Sequence, residues 1–318
     1  MSVLSHLVGD PGVLIANWEE TPFVSTGLPD LDAVFSLETV EQLIGSGTLP
    51  LACVRMIHEG VTLPSQRLGR RAERKQAAQE RVVDGAAVAR EVVAGATLIV
   101  EDLQTYSPEV AAFAGALAAE TGYCTYCAAF VTPGDARGSA PHYDQMSVFI
   151  RQVHGSKRWR VTRPVQRWPG RAWSADQDVE TDVVLEAELE AGDCLYIPRG
   201  YIHSGTASAR ASAHLSIGLI PPTWAAILRR LTDSALGAES MREALPYGFH
   251  TMDQALLLTL LTDRVAAFTT ALAGLARSAD ADLALAKVRP RAAQLPPAAG
   301  SLRSALTAAG QMREITLL

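Results

Sequence analysis

Cysteine is scarce in this chain, four residues in 318, so no disulfide framework holds it together. Cys124 and Cys127 form a C-x-x-C, but a zinc site needs a second pair. On a strand these two thiols would also fall on opposite faces, unlike a redox pair at a helix start, and both read as structural. Positive charge is not in surplus either. The 28 Lys and Arg stand against 34 Asp and Glu, a net charge of −6, which excludes bulk attraction to nucleic acid or an anionic membrane surface. Long apolar runs are missing as well: the longest candidate, Ala255 to Leu261, is bounded by Asp253 and Asp263 and falls short of a bilayer span. The first residues, MSVLSHLVGDPG, lack the charged segment and apolar run of a secretory signal, so the expected location is the cytoplasm. Global disorder is excluded in turn, because 48% apolar residues suffice for a sizeable core.

Periodicity gives the order of elements. Up to about residue 95, short helical and strand-like pieces mix. LPDLDAVFSLETVEQLI has helical spacing, with Ser36 and Glu38 near the helix start, and LACVRMIHEG reads as a strand. Gln66 to Arg81 holds six Arg and Lys; it is expected to be a solvated loop or surface helix, with a landing strip for an acidic peptide as the functional alternative. VVDGAAVAREVVAGATLIVEDL predicts a helix and then a strand. In SPEVAAFAGALAAETG, Ser107 is the expected N-cap, Pro108 takes the first helical position and Glu109 puts negative charge in the first turn. Between Tyr123 and Leu219 the texture changes to short β-forming runs separated by Gly/Pro turns: TYCAAFVTP, SVFIRQVHG, KRWRVTRP, TDVVLEAEL, DCLYIPRG and SAHLSIGLI. That pattern predicts a sandwich or barrel. After Pro221 and Pro222 helical periodicity returns, and the Ala-rich tail is expected to end in one short strand. The predicted organisation is a mixed α/β N-terminal part and mainly β core over residues 1–222, then a helical region over 223–318.

One constellation carries chemistry. SAPHYDQMSVFI places His142 and Asp144 two positions apart in a β-run, and residues i and i+2 share one face of a strand. GDCLYIPRGYIHSG supplies His203: Gly192-Asp193 turns into a strand, Pro198 and Gly200 mark its exit, and the histidine follows. In an eight-stranded double-stranded β-helix an early and a late strand lie side by side, so His203 can complete a two-His, one-carboxylate face around one iron. Such a face leaves about three coordination positions open, as a non-haem Fe(II) oxygenase requires. H-x-D alone is common by chance; its weight comes from the G-D-x4-P-x4-H that follows it in the same β-region. His214, on the next strand, is the rival third ligand and otherwise lines the pocket or packs in the core. His6, His58, His154 and His250 read as surface or structural.

The runs YCTYCAAFVTPGDARGSAPHYDQMSVFIRQVHGSKRWRV and EAGDCLYIPRGYIHSGTASARASAHLSIGL resemble the JmjC-type cupin oxygenases. The likeness is to the ribosomal-oxygenase branch and its bacterial relatives, from about Ala94 to Trp224 and more loosely to LPYGFH near Leu245. It implies a double-stranded β-helix (jelly roll) with flanking helices and a C-terminal helical segment of the dimerisation type. It also implies an Fe(II)- and 2-oxoglutarate-dependent dioxygenase, using O2 to hydroxylate an amino-acid side chain in a peptide or protein. The β-carbon of a residue such as His is one target, and a ribosomally made natural-product precursor one substrate. By the same resemblance His142, Asp144 and His203 match the iron ligands, and Lys157 in GSKRW matches the basic residue that pairs with the distal carboxylate of 2-oxoglutarate. Strand alternation agrees: Lys157 and Trp159 share an interior face, Arg158 and Arg160 the other. The chain departs from the family at Ala128, where many relatives carry an Asn whose amide lines the co-substrate pocket. Thr132, Tyr196 and Ser216 are the hydroxyls offered in its place.

Retention of Asp144 favours hydroxylation over halogenation, which needs that ligand position vacant for halide. Only about 40 residues follow the helical segment, too few for the winged helix of ribosomal oxygenases, which moves the expectation toward a small-peptide or specialised-metabolite substrate. Two rival classes stand. A non-oxidative metal-dependent cupin, an isomerase or lyase, usually presents H-x-H and a following Glu, where this chain has H-x-D followed by Gln145 and Met146. A non-catalytic binding module, motivated by Ala128, keeps the fold and releases no succinate. Histone demethylation is disfavoured, since no zinc-finger cysteine cluster or reader domain accompanies the core. The apolar face of TMDQALLLTLLTDRVAAFTTALAGL points to a homodimer, with core packing as the alternative.

Overall fold

The computed structural model describes residues 2–71, 81–171, 173–174 and 182–278, with 282, 285 and 286. Most of the basic stretch and the strand expected at the C-terminus lie outside these residues. The described residues up to Ile220 form one compact unit, and those from Pro221 onward a second.

In the first unit, short elements precede the β core: α1 (Pro11–Asn17), β1 (Phe23–Ser25), α2 (Leu37–Gly45), β2 (Val54–His58), β3 (Val61–Thr62), β4 (Gly69–Arg71), β5 (Arg81–Val83), α3 (Gly85–Val93), β6 (Thr97–Val100), α4 (Leu103–Tyr106) and α5 (Pro108–Thr121). The helix starts obey their local chemistry. Ser36 caps α2 in a capping box with Thr39. Ser107 caps α5: its Oγ accepts from the Val110 amide at 3.3 Å and donates to Glu109 at 3.0 Å, with Pro108 at the first helical position. Gly122, in the left-handed region at φ 77°, ends the same helix.

The β core follows: β7 (Cys124–Thr132), β8 (His142–Tyr143), β9 (Ser147–His154), β10 (Ser156–Thr162), β11 (Trp173–Ser174), β12 (Val183–Glu190), β13 (Cys194–Ile197), β14 (Ile202–Ala207) and β15 (Ser212–Ile220). These make two antiparallel sheets of a double-stranded β-helix. The larger runs β1-β13-β9-β15-β7-β6-β2-β3 and the smaller β11-β8-β14-β10-β12, while β4 and β5 pair as a separate hairpin. Every strand of the predicted core is present. Two details differ from the sequence expectation. The strand bearing His142 is only two residues long, with Asp144 just past its end. His203 does not trail β13 but belongs to a strand of its own, β14, which Gly205 and the small polar residues of HSGTASA disguise.

Period-two alternation splits the core. On β13, Leu195 and Ile197 join Val148, Ile150, Trp159, Val161 and Leu189 between the two sheets. Cys194 and Tyr196 point the other way, into the larger cluster formed with the helices. That second layer buries the apolar faces of α1, α2, α3 and α5 and gives most of the hydrophobic stabilisation, about 25 cal/mol for each Å² removed from water. The Cys124 thiol is exposed and Cys127 is buried, both free, in agreement with the opposite-face reading.

The second unit contains α6 (Trp224–Leu236), capped by Thr223, and α7 (Gln254–Leu275), capped by Asp253. One sequence expectation is corrected here: by length and composition α7 is long and apolar enough to cross a membrane. Its polarity is masked because Thr259, Thr262, Thr269 and Thr270 return their hydroxyls to the carbonyls four residues back. Asp263 and Arg264 sit at its midpoint, and each charge would cost about 2.5–3.5 kcal/mol at a bilayer centre. Arg264 bonds the Ser240 carbonyl at 2.8 Å and the Glu243 carboxylate.

The connection that carries the chain from β9 in the larger sheet to β10 in the smaller turns on Gly155, at φ 61°, where a Cβ would lie 2.1 Å from the Ala211 carbonyl oxygen. Gly155→Ala is expected to lower the unfolding free energy by about 1–3 kcal/mol in a urea titration.

Candidate metal centre

The smaller sheet brings the sequence-distant histidines together. His203 on β14 is the direct register partner of His142 on β8, and their rings lie 4.3 Å apart. With Asp144 they place one ligand atom each within 4.8 Å of one another, the cluster of such groups found among the described residues. His203 Nε2 is 3.8 Å from Asp144 Oδ2. Backbone carbonyls set the ring orientation: His142 Nδ1 lies 2.9 Å from the Ala140 carbonyl and His203 Nδ1 3.1 Å from that of Tyr201. Each ring donates from Nδ1 and therefore offers Nε2 as the lone pair, the usual outer-layer arrangement of a metal-binding imidazole. Burial first, and then the neighbouring His142, push the His203 pKa down to about 4, so the ring is neutral at pH 7 as a ligand must be.

The PRG turn positions the carboxylate. Gly200 donates its amide to the Asp144 carbonyl at 3.1 Å and adopts φ 89°, with no room for a Cβ, which would meet the Gln166 carbonyl at 2.6 Å. Arg199 forks onto Glu19 (Nε to Oε1 2.5 Å, Nη2 to Oε2 3.1 Å), tying the N-terminal segment to the same turn.

Behind the triad lies a narrow chamber lined by Phe130, Lys157, Trp159, His214, Ser216 and the three triad residues, among others. Lys157 is 2% exposed; its Nζ donates to Thr132 Oγ1 at 3.0 Å and lies 5.2 Å from the Trp159 ring centre. Burial without a counter-charge lowers its pKa to about 7. As alternation predicted, Lys157 and Trp159 face in and Arg158 and Arg160 face out.

His214 is not brought into the triad. Its ring stacks on Phe130 at 4.8 Å and meets Trp159 edge-on at 5.4 Å, and its Nδ1 is buried without a hydrogen-bond partner. Burial, then Lys157 and His203, hold its pKa well below the ordinary value. Of the three hydroxyls that the sequence offered, Thr132 is bonded to Lys157 and Ser216 lines the chamber.

Tyr196 is a correction. It is fully buried on the opposite face of β13, against Trp18, Phe23 and Phe149, and its hydroxyl accepts from the Glu19 amide at 3.1 Å. The Tyr in D-x-L-Y-x-P is a core residue because alternation gives the interior positions to Leu195 and Ile197.

On the other side of the triad a cleft of roughly 570 Å³ opens outward. Its lining includes Arg55, Glu101, Tyr126, Phe130 and Met146, none of which sequence reasoning selected as site residues. The alternation of β7 carried a signal for part of it, since Tyr126, Ala128, Phe130 and Thr132 share a face. Arg55 and Glu101 carried none, because the pairing of β2 with β6 brings them together.

Comparison with known proteins agrees with this geometry. Residues 103–227 match the JmjC domain family. The matched stretch lies on the double-stranded β-helix and includes His142, Asp144 and His203. It is 32% identical over 167 residues to ribosomal oxygenase 1 of Rattus norvegicus, covering 49% of this chain and 28% of that protein. It is 30% identical over 173 residues to the bifunctional lysine-specific demethylase and histidyl-hydroxylase NO66 of Brugia malayi, covering 50% of this chain and 24% of that protein. The chain thus spans about a quarter of the length of these curated relatives. Among solved structures it resembles the Escherichia coli ribosomal oxygenase YcfD, with a TM-score of 0.55 at 18% identity over 85% of this chain and 67% of that one. The same protein in complex with cobalt and 2-oxoglutarate gives a TM-score of 0.53 at 18% identity, over 85% of this chain and 67% of that one.

Two substitutions test the centre. Asp144→Ala is expected to weaken Co(II) binding at least about 100-fold in a competition titration. Gly200→Ala, which alters no ligand, is expected to weaken it measurably by shifting the Asp144 backbone.

Proposed function

We propose that this chain is an Fe(II)- and 2-oxoglutarate-dependent hydroxylase of an amino-acid side chain in a peptide or protein. One observation carries the reading: an open two-His, one-carboxylate triad stands between a chamber ending on a buried lysine and a cleft open to solvent. The donor set fits Fe(II), with two imidazoles, one carboxylate and room for further ligands. The chamber fits a dianionic keto acid, since it holds a cation without a counter-charge and an unpartnered imidazole nitrogen. His142 and His203 would hold the metal through Nε2 and Asp144 through its carboxylate. Lys157, kept in line by Thr132, would take the far carboxylate of the co-substrate in a charge-assisted bond. Iron, 2-oxoglutarate and O2 supply the oxidation: the keto acid becomes succinate and CO2 while a substrate C–H gains one oxygen atom. The names of the relatives, ribosomal oxygenase and histidyl-hydroxylase, support a protein or peptide substrate. A non-oxidative cupin has no use for the buried cation, and that disfavours the rival reading.

Anaerobic addition of Fe(II) and 2-oxoglutarate should produce the weak visible charge-transfer band of the chelate, and Lys157→Ala should abolish it at the same concentrations. Absence of the band in the unaltered chain would overturn the assignment. A pH signature follows from Lys157. Its pKa of about 7 leaves it largely neutral in the free protein at pH 8, and a bound dianion raises it. Co-substrate binding at pH 8 should therefore take up close to one proton, read from the buffer dependence of the calorimetric enthalpy. Affinity should fall as pH rises above about 7, and Lys157→Met should lose the uptake. His203, at about 4, does not titrate in this window.

The second unit supports a homodimer as a further part of the reading. Leu258, Leu261 and Val265, at i, i+3 and i+7 on one face of α7, are all at least 52% exposed, an apolar face that a second copy would cover. Sedimentation should show a dimer that Leu258→Glu converts to monomer.

A further inference from the structure

The cleft that leads to the triad is unequal along its length, and its make-up defines what it admits. Strand register lays out the wall. On β7 the inward residues run Thr132, Phe130, Ala128, Tyr126, and their partners on β15 are Ser212, His214, Ser216 and Gly218. Val148 on β9 pairs with Gly218, and Ile99 on β6 pairs with Phe130. Beside His142 and Asp144 the cleft is therefore bounded by Ile57, Ile99, Ala128, Phe130, Met146 and Val148, with only neutral hydroxyls such as Ser139 and Ser216 between them.

Apart from the triad's own Asp144, the charged residues lining the cleft among the described residues are one pair, and they neutralise each other. Arg55 Nε and Nη2 both donate to Glu101 Oε1, at 3.1 and 2.9 Å. A cationic side chain entering the cleft would have to compete with Arg55 for that carboxylate, or lie against carbon without a counter-charge. An imidazole N–H would meet the same apolar wall. Met146 sets the width: it lies against Gly218, where a Cβ would come within 2.1 Å of its sulfur, so the glycine is what lets the thioether fold back beside the triad. Methionine is adaptable and apolar, suited to grip an aliphatic or aromatic group.

We propose that the side chain presented to the triad is uncharged and apolar, that of a Leu, Ile, Val, Met or Phe in a peptide, with Met146 and Val148 among the residues that select it. This rests on the hydroxylase reading above and narrows its substrate. The reaction balances as R–H + O2 + 2-oxoglutarate → R–OH + succinate + CO2.

A selection without turnover tests it. A random peptide library displayed on phage is panned against the full chain loaded with Mn(II) and N-oxalylglycine, an inert analogue of 2-oxoglutarate. Recovered peptides should carry an apolar residue at one position, at least ten-fold enriched over Lys, Arg, His and Glu. Met146→Glu, at a half-buried position that tolerates a polar side chain, should reverse the ratio toward Lys and Arg. Enrichment of His, Arg or Lys by the unaltered chain, or no enrichment at all, would overturn the proposal. The two readings fail separately. A chain that forms the charge-transfer band but selects His or Arg keeps the oxidation and loses the apolar pocket; one that selects apolar peptides without the band keeps the pocket and loses the oxidation.

Discussion

An ammonium group sealed between two β-sheets is expensive, and the neighbourhood of Lys157 makes most sense as a means of tolerating that cost. The side chain has one hydrogen bond, to Thr132, and the face of Trp159 near it. Room for it comes from glycines: a Cβ on Gly205 of β14 would lie 2.9 Å from Lys157 Cε, and one on Gly138, between β7 and β8, 3.2 Å from Nζ. These glycines are what allow a long cationic chain to lie flat inside the barrel. A buried Lys of this kind destabilises the fold when charged and is relieved when neutral, so between its folded pKa of about 7 and the ordinary 10.5 stability rises with pH. A protein stabilised only for its own sake would not keep such a group. Its retention is explained by a ligand anion that restores the missing counter-charge.

The triad is held by a second economy of the same kind. Only His203 sits on a strand of ordinary length, the six-residue β14; β8 is two residues and Asp144 stands outside it. Precision comes from backbone groups instead. The carbonyls of Ala140 and Tyr201 orient the two rings, and the Gly200 amide holds the backbone of Asp144. Arg199 anchors that turn to Glu19, so the N-terminal segment, remote in sequence, contributes to the placement of a carboxylate it never touches.

Much of this was legible in the sequence, and the reasons are particular. His142 and Asp144 were found because alternation is local; Lys157 came from the family resemblance, and Trp159 two residues on declared its face interior. The α5 cap was found because Ser107-Pro108-Glu109 is a complete local signal. Tyr196 was misplaced because the phase of a four-residue strand cannot be read when all four residues are apolar enough to be buried on either side. The strand bearing His203 was hidden by its serine, glycine and threonine; α7 was read as helix, and only its full apolar length was missed, because its threonine hydroxyls are satisfied within the helix. Arg55 and Glu101 were invisible because they meet only through the pairing of β2 with β6, a tertiary fact that no local pattern encodes.

Ala128 looks different once register is considered. Taken alone it is a lost amide, and it motivated the view that the chain binds without catalysing. In the structure it sits on β7 between Phe130 and Tyr126, opposite Ser216, at the point where the chamber gives way to the cleft. Deeper positions on the same face keep the polar groups an anion needs, Thr132 with Lys157; shallower ones end at the self-neutralised pair of Arg55 and Glu101. The methyl group thus lies in the apolar stretch rather than at the anion end, continuous with Ile99, Phe130 and Val148. An Asn in that stretch would need partners for its amide that the neighbouring carbons do not offer. The substitution is therefore consistent with the rest of the wall, and it bears on which side chain enters more than on whether the co-substrate does.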